Sequence, residues 1–125
     1  MDYKELYKMA EKAVDNAYAP YSKFKVGAAL LTKEGRVFTG VNVENSSFGA
    51  TICAERTAYV KAVSEGFREF EAIAVTSDQG KAWPCGICRQ FMYEFGNGLV
   101  VITGDDADHL EKYTINELLV EGFRL

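Results

Sequence analysis

The spacing of apolar and polar residues predicts a helix followed by a hairpin in the first third of the chain. Apolar side chains recur every three or four residues from about Asp2 to Tyr18, which is typical of an amphipathic helix that Pro20 would end. Phe24 to Leu31 alternates apolar and small residues, and Arg36 to Val43 repeats the pattern after a Glu34-Gly35 turn. We therefore expect two paired strands after the helix.

The middle of the chain alternates helix and strand. Cys53 to Glu65 predicts a helix that Gly66 stops, and Glu71 to Thr76 predicts a short apolar strand. Pro84 suits the start of a second helix, from about Cys85 to Phe95. Helices that alternate with strands in this way indicate an α/β fold in which helices cover a mixed sheet.

The last quarter predicts one more strand and one more helix. Leu99 to Thr103 is an apolar strand segment, and Thr114 and Glu117 have the spacing of a capping box. That box predicts a short helix over Ile115 to Val120.

Composition limits the classes of function. The 125 residues fit a single domain over 1–125, and 48% apolar residues can fill its core. The net charge is −4 and no basic stripe is visible, so we expect no nucleic-acid polymer as partner. Neither a signal peptide nor a membrane span is expected, because no long apolar run occurs. Three cysteines form a poor disulfide framework, and in a reducing cytoplasm they would be metal ligands or core residues.

The placement of those cysteines indicates a metal site. Cys53 precedes Glu55 by two residues, and Cys85 and Cys88 form a C-x-x-C pair directly after Pro84. This order is the signature of zinc-dependent nucleobase deaminases when a cysteine takes the first ligand position. Three thiolates fill three of the four positions of tetrahedral zinc, which leaves one position for water and favours a catalytic site.

Neighbouring residues fit the same chemistry. Both predicted helices begin at cysteines, and a helix N-terminus favours the thiolate form. Glu55 would act as general base beside the metal, and Arg56 would offset the negative charge of the sulfurs.

The same residues are also compatible with roles that involve no catalysis. The cysteines could be buried apolar residues, or ligands of a structural zinc that His109 completes from a distance. Glu55 could simply be an acidic residue that the helix dipole favours in a first turn. In that case the chain would be a non-catalytic module stabilised by zinc.

Four ordered segments resemble the cytidine deaminase family, specifically its short class whose zinc is held by three cysteines. The segments are Tyr21 to Leu30, Gly40 to Asn45, Thr51 to Ala58 and Pro84 to Gln90. The resemblance implies a three-layer α/β/α fold, with a mixed central sheet of about five strands and helices on both faces. It implies one Zn²⁺ per subunit and a homotetramer with active sites at subunit interfaces.

The resemblance also implies roles for individual residues. Phe24 would lie against the pyrimidine ring, Asn42 and Glu44 would bind the ribose hydroxyls, and the Ala54 backbone with Glu55 would hold the polar edge of the base. From the pattern alone, a phenylalanine on an alternating strand such as Phe24 is more often core, and Asn42 and Glu44 could be the solvated face of a hairpin.

Two aromatic residues, Phe48 and Phe123, would reach the active site of a neighbouring subunit. The family often has tyrosine at the first of these positions, and it often has proline where this chain has Val120.

The implied activity is hydrolytic deamination of cytidine and 2′-deoxycytidine to uridine and 2′-deoxyuridine with release of ammonia, as in pyrimidine salvage. The alternative substrate is a modified cytosine nucleoside such as blasticidin S. An editing deaminase that acts on RNA or DNA fits the acidic charge balance poorly.

Overall fold

A mixed sheet forms the centre of the protein. The computed structural model describes residues 1–96 and 98–125, and within them the sheet has five strands. The strands are β1 (Val26–Thr32), β2 (Val37–Val41), β3 (Phe70–Ser77), β4 (Val100–Gly104) and β5 (Leu110–Thr114). The α-helices are α1 (Tyr3–Ala13), α2 (Ala54–Ser64), α3 (Gly86–Tyr93) and α4 (Ile115–Leu118), and short 3₁₀ turns cover Val14–Asn16 and Phe48–Ala50.

The strands lie in the order β2-β1-β3-β4-β5. β1 is antiparallel to both of its neighbours, so Leu30 faces Phe38 on one side and Ile73 on the other. β3 and β4 are parallel, as expected for two strands joined through a helix, and β5 closes the edge antiparallel to β4. This arrangement confirms the predicted hairpin and the predicted mixed sheet.

Helices cover both faces of the sheet. α1 packs Leu6 and Tyr7 on the face that carries Ala29 and Leu31, while α2 and α3 cover the opposite face. Successive residues of a strand point to opposite faces, so a central strand in a three-layer fold must be apolar at nearly every position. β1 shows this, because every residue from 27 to 32 is buried. The three-layer α/β/α fold is confirmed. None of the described helices has the length and apolar character that crossing a bilayer would need.

The first helix is shorter than the sequence pattern predicts. α1 ends at Ala13, not at Tyr18, and Ala17 has extended backbone angles. The reason lies in tertiary pairing: Tyr18 donates its N–H to the carbonyl of Asn42, and its own carbonyl accepts from the N–H of Glu44. These two bonds hold the chain extended where the apolar spacing alone would continue the helix.

The last strand is not predicted by the apolar pattern. β5 has mixed polarity and lies at the edge of the sheet, where exposed positions such as Lys112 remove the apolar alternation that marks inner strands. The capping box that follows is present: Thr114 and Glu117 exchange side-chain to backbone hydrogen bonds. The helix it begins ends at Leu118, two residues before the predicted end at Val120.

Glycine at position 40 permits the close contact between α2 and the hairpin. A Cβ atom there would lie 2.3 Å from the Ala54 carbonyl oxygen and 2.4 Å from the Ala58 nitrogen. Both are main-chain atoms, so no side-chain rotation can make room, and α2 would have to move.

We expect Gly40→Ala to lower the free energy of unfolding by about 1–3 kcal/mol, because overpacking displaces a helix. Gly49→Ala is the matched control, since a Cβ atom at that glycine meets nothing within 4 Å. Urea unfolding followed by circular dichroism measures both. Equal stability of the two variants would contradict the close packing described here.

Candidate active site

The three cysteines lie at the beginnings of two helices. Cys53 is the N-cap of α2 and Cys85 is the N-cap of α3, both with extended backbone angles, and Cys88 is the third residue of α3. The sequence pattern predicts both helix starts to within one residue. Because helix N-termini carry partial positive charge, two of them pointing to one place favour a cluster of anionic sulfurs.

The sulfur atoms are close enough to share one metal ion. The three Sγ atoms lie within 4.8 Å of one another, and those of Cys53 and Cys85 are 3.7 Å apart. Four sulfur positions at the usual zinc–sulfur distance form a tetrahedron with edges of about 3.8 Å. The donor set therefore fits tetrahedral zinc. Among the described residues no other His, Cys, Asp or Glu joins this group, and His109 instead bonds Asp106 at 2.8 Å, so the histidine-completed structural site finds no support.

A neighbouring arginine compensates the negative charge of the cluster. Arg56 donates from Nη2 to the Cys53 sulfur at 3.3 Å. A hydrogen bond from the Cys88 thiol, together with this guanidinium, lowers the pKa of Cys53 to about 5. The cluster therefore favours a thiolate at Cys53 even before the charge of a metal is considered.

Glu55 is the buried carboxyl group beside the sulfurs. It is the second residue of α2 and only 4% exposed. Burial raises the pKa of Glu55 to about 7, and the nearby Cys53 thiolate contributes to the same rise. A carboxyl group in such a place can both accept and return a proton near neutral pH. It does not resemble the solvated first-turn acid that the helix dipole would explain.

A pocket of about 260 Å³ opens beside the cysteines and Glu55. Two of the cysteines and residues from the hairpin, α2 and the loop before α3 form its walls, namely Ser22, Phe24, Val26, Asn42, Glu44, Thr51, Ile52, Cys53, Ala54, Glu55, Ala82, Trp83 and Cys85. The structure thus brings Phe24, Asn42, Glu44 and Ala54 together with two candidate metal ligands, Cys53 and Cys85, although Phe24 and Cys85 lie 61 positions apart in the chain.

Asn42 and Glu44 have different surroundings. Asn42 is 9% exposed, and its amide accepts from Val26 N–H at 2.8 Å and donates to the Phe24 carbonyl at 2.7 Å. Glu44 is half-buried and accepts hydrogen bonds from the Tyr21 and Ser22 segment. Asn42 is therefore not on a solvated hairpin face. Its side chain links Phe24 in the pocket wall to Val26 at the start of β1.

Phe48 and Phe123 do not line this pocket within one chain. Phe48 is 79% exposed on its 3₁₀ turn and touches Tyr21 edge-on, with ring centroids 6.1 Å apart. Phe123 is 64% exposed and lies beside α3, where its carbonyl accepts from Gln90 at 3.0 Å. Both rings are available to another molecule.

Six wall residues were given no role in the site from the sequence, namely Ser22, Val26, Thr51, Ile52, Ala82 and Trp83, and two of these make specific contacts. Trp83 contributes its ring to the pocket and packs against Tyr113, with centroids 5.1 Å apart. The one local feature of the sequence that would place Trp83 near the site is its position directly before Pro84 and Cys85. Ser22 lies within the first of the four family-like segments, but no local pattern gives it a role, because its partner Glu44 is 22 residues away.

Comparison with known proteins places the chain in a family. Residues 1–103 match the model of the cytidine and deoxycytidylate deaminase zinc-binding region. The chain belongs to this deaminase family. A probable cytidine deaminase from Dictyostelium discoideum is 52% identical over 119 residues, which cover 91% of this chain and 81% of the relative. A cytidine deaminase from Sporosarcina psychrophila is 48% identical, with coverage of 98% and 92%.

Solved structures agree with the family assignment. The cytidine deaminase from Burkholderia pseudomallei superposes with a TM-score of 0.90 at 45% identity, covering 98% of this chain and all of that one. The Mycobacterium tuberculosis enzyme gives a TM-score of 0.87 at 38% identity, covering 100% of this chain and 99% of that one. As a deaminase-family member the chain is an enzyme with zinc as its cofactor, and the non-catalytic module is not favoured.

We expect Cys85→Ala to lose stoichiometric zinc and to unfold at lower denaturant concentration, because metal binding is coupled to folding and only two sulfurs remain. Val60→Ala, at an exposed position of α2, is the control and should keep both properties. Metal analysis of purified protein and urea unfolding measure the effect. A zinc-loaded Cys85→Ala protein of normal stability would argue against this ligand set.

Proposed function

We propose that this chain catalyses the hydrolytic deamination of cytidine and 2′-deoxycytidine to uridine and 2′-deoxyuridine, releasing ammonia, with residues 1–125 as one catalytic domain. One observation carries the proposal: a buried carboxyl group, Glu55, shares a small pocket with two cysteines of the three-sulfur cluster and with Asn42 and Glu44. Relatives that are 48–52% identical over most of the chain are named cytidine deaminase or probable cytidine deaminase.

The cysteines and Glu55 divide the chemistry between them. Cys53, Cys85 and Cys88 would hold zinc, which when bound supplies Lewis acidity that makes water ionise near neutral pH. Glu55 would take up the proton that this water loses and deliver it to N3 of the ring. It would then take the proton of the hydroxyl group now on C4 and deliver it to the departing amino group, which leaves as ammonia. Its burial next to Cys53 supports this, because solvent competes little for the proton it carries.

The rest of the pocket would bind and orient the nucleoside. Phe24 would lie against the pyrimidine ring, and the Ala54 backbone would hold its polar edge beside Glu55. Asn42 and Glu44 would bind the sugar hydroxyls. A pocket of about 260 Å³ has room for a nucleoside, and the net charge of −4 disfavours a nucleic-acid polymer as substrate.

The neighbouring subunits would complete the site. We propose a homotetramer in which Phe48 and Phe123 reach a neighbour's pocket. Support comes from their exposure next to other exposed apolar residues, Tyr21 beside Phe48 and Ile87 beside Phe123, since contiguous apolar surface indicates an interaction site. We also propose a cytoplasmic location, because free cysteine ligands need a reducing compartment, and a role in pyrimidine salvage, because substrate and product of the proposed reaction are pyrimidine nucleosides.

The test of the activity is the loss of cytosine absorbance when purified protein meets cytidine, with and without a zinc chelator. We expect Glu55→Gln to keep its zinc and assembly state but to lose about 10²- to 10⁴-fold in kcat, because an amide cannot carry the proton.

Glu65→Gln is the matched control for that variant. Glu65 lies at the other end of α2, where it is exposed and pairs with Arg36 at 3.3 Å, and its loss should leave kcat unchanged. Near-normal turnover by zinc-loaded Glu55→Gln would refute the role of Glu55. Failure of the unaltered protein to deaminate cytidine, with turnover of blasticidin S instead, would redirect the substrate assignment.

For the assembly, we expect size-exclusion chromatography with light scattering to give a mass near four times 13.9 kDa at micromolar protein. Phe123→Ala should lower kcat/KM, because the ring would be missing from the neighbouring pocket. A fully active monomer would disprove shared active sites.

A further inference from the structure

The carboxylate of Glu44 is held by the segment that precedes Phe24. Its Oε1 atom accepts the backbone N–H of Tyr21 at 2.9 Å and that of Ser22 at 3.1 Å. Its Oε2 atom accepts the hydroxyl of Ser22. A carboxylate offers about four acceptor positions, so these three bonds leave about one for a ligand.

The same serine hydroxyl also fixes the aromatic wall. Ser22 Oγ accepts from the Phe24 N–H at 3.1 Å while it donates to Glu44. Between them, Lys23 adopts φ +60°, a left-handed conformation that is uncommon for a residue with a side chain. The segment is thus bent tightly around one carboxylate, and Ser22 contacts both the carboxylate and the backbone of Phe24.

We propose that Ser22 is a positioning residue for sugar recognition, whose hydroxyl orients the Glu44 carboxylate so that its remaining acceptor position meets a sugar hydroxyl. The inference deepens the proposed function and rests on it. Ser22 need not touch the reacting atoms, and its effect passes through Glu44. The two hydrogen bonds on Oε1 come from backbone N–H groups, so replacing a side chain with alanine leaves them in place. The hydrogen bond from the Ser22 hydroxyl to Oε2 is the one that such a substitution removes and can therefore test.

Orientation matters because a hydrogen bond weakens steeply away from its preferred angle. Without the Ser22 hydroxyl, Oε2 would be free to bond water, and a ligand hydroxyl would have to displace that water. The Ser22 hydrogen bond also lowers the pKa of Glu44, in agreement with a carboxylate that stays ionised and only accepts. The two backbone bonds would remain, so the fold of the segment should persist.

The decisive experiment compares two substrates. We expect Ser22→Ala to lower kcat/KM for cytidine about 3- to 10-fold, mostly through KM, which is the usual worth of one hydrogen bond. For 2′,3′-dideoxycytidine, which offers Glu44 no hydroxyl on the ring carbons 2′ and 3′, the same variant should lose clearly less, because only the contact of Ser22 with Phe24 bears on that substrate. Ser22→Thr, which restores a hydroxyl, should recover most of the cytidine activity.

Repeating the Ser22→Ala change in a Glu44→Gln protein shows whether Ser22 acts through Glu44 or by disturbing the fold. In a Glu44→Gln protein the Ser22→Ala change should cost little more, because the group through which it acts is already altered. Ser64→Ala is the matched control: it removes a serine hydroxyl that bonds the Lys61 carbonyl at 2.9 Å on the far end of α2, and it should change the rate on neither substrate.

The outcomes distinguish this inference from the proposed function. Equal loss on both substrates, or full additivity with Glu44→Gln, would show that Ser22 acts on the fold or on Phe24 and would overturn the inference. No loss on cytidine would overturn it as well. Absence of cytidine turnover by the unaltered protein would instead refute the proposed function, whatever Ser22 does.

Discussion

The convergence of two helix N-termini on one pocket is the constraint on which the candidate site depends. α2 begins just after Cys53 and α3 just after Cys85. Three sulfurs this close would repel one another as thiolates. The partial positive charges of two helix ends and the guanidinium of Arg56 offset that repulsion before any metal binds. A metal ion then meets ligands already gathered, and less ordering entropy opposes its binding.

The surrounding structure keeps those helix ends in place through one close backbone contact and through side-chain hydrogen bonds to backbone carbonyls. α2 lies directly on the hairpin because Gly40 has no Cβ to separate them. At the start of α3, Arg89 donates to the carbonyls of Pro84 at 2.7 Å and Leu118 at 2.9 Å, which ties the helix start to the end of α4. Thr103 of β4 donates to the carbonyl of Ala82 at 2.7 Å and holds the preceding loop. A rigid frame of this kind is what a precise ligand set requires.

Local signals in the sequence predicted the metal site well, because its ligands lie at helix starts that short-range rules can locate. Cys53 and Glu55 lie in one helical turn and the C-x-x-C pair in another, so the geometry within each half follows from its helix, whereas the approach of the two halves depends on tertiary packing. The end of α1 and the presence of β5 were harder to predict from the sequence. Tyr18 leaves the helix to bond Asn42, and β5 is an edge strand of mixed polarity, so both depend on contacts with distant segments. The proposed role of Ser22 could not be predicted for the same reason, since its partner Glu44 lies 22 residues away in the chain.

The two carboxylates of the pocket show how one fold can give the same chemical group two tasks. Glu55 is buried with little hydrogen bonding, and its environment favours the neutral form. Glu44 accepts three hydrogen bonds from Tyr21 and Ser22, and its environment favours the charged form. Environments that separate two acids in this way mark one as a proton carrier and the other as a fixed acceptor. In the proposed reaction the first would serve the base and the second the sugar. The segment from Tyr21 to Phe24, which bonds Glu44 and supplies the aromatic wall, therefore belongs to the site as much as the zinc ligands do.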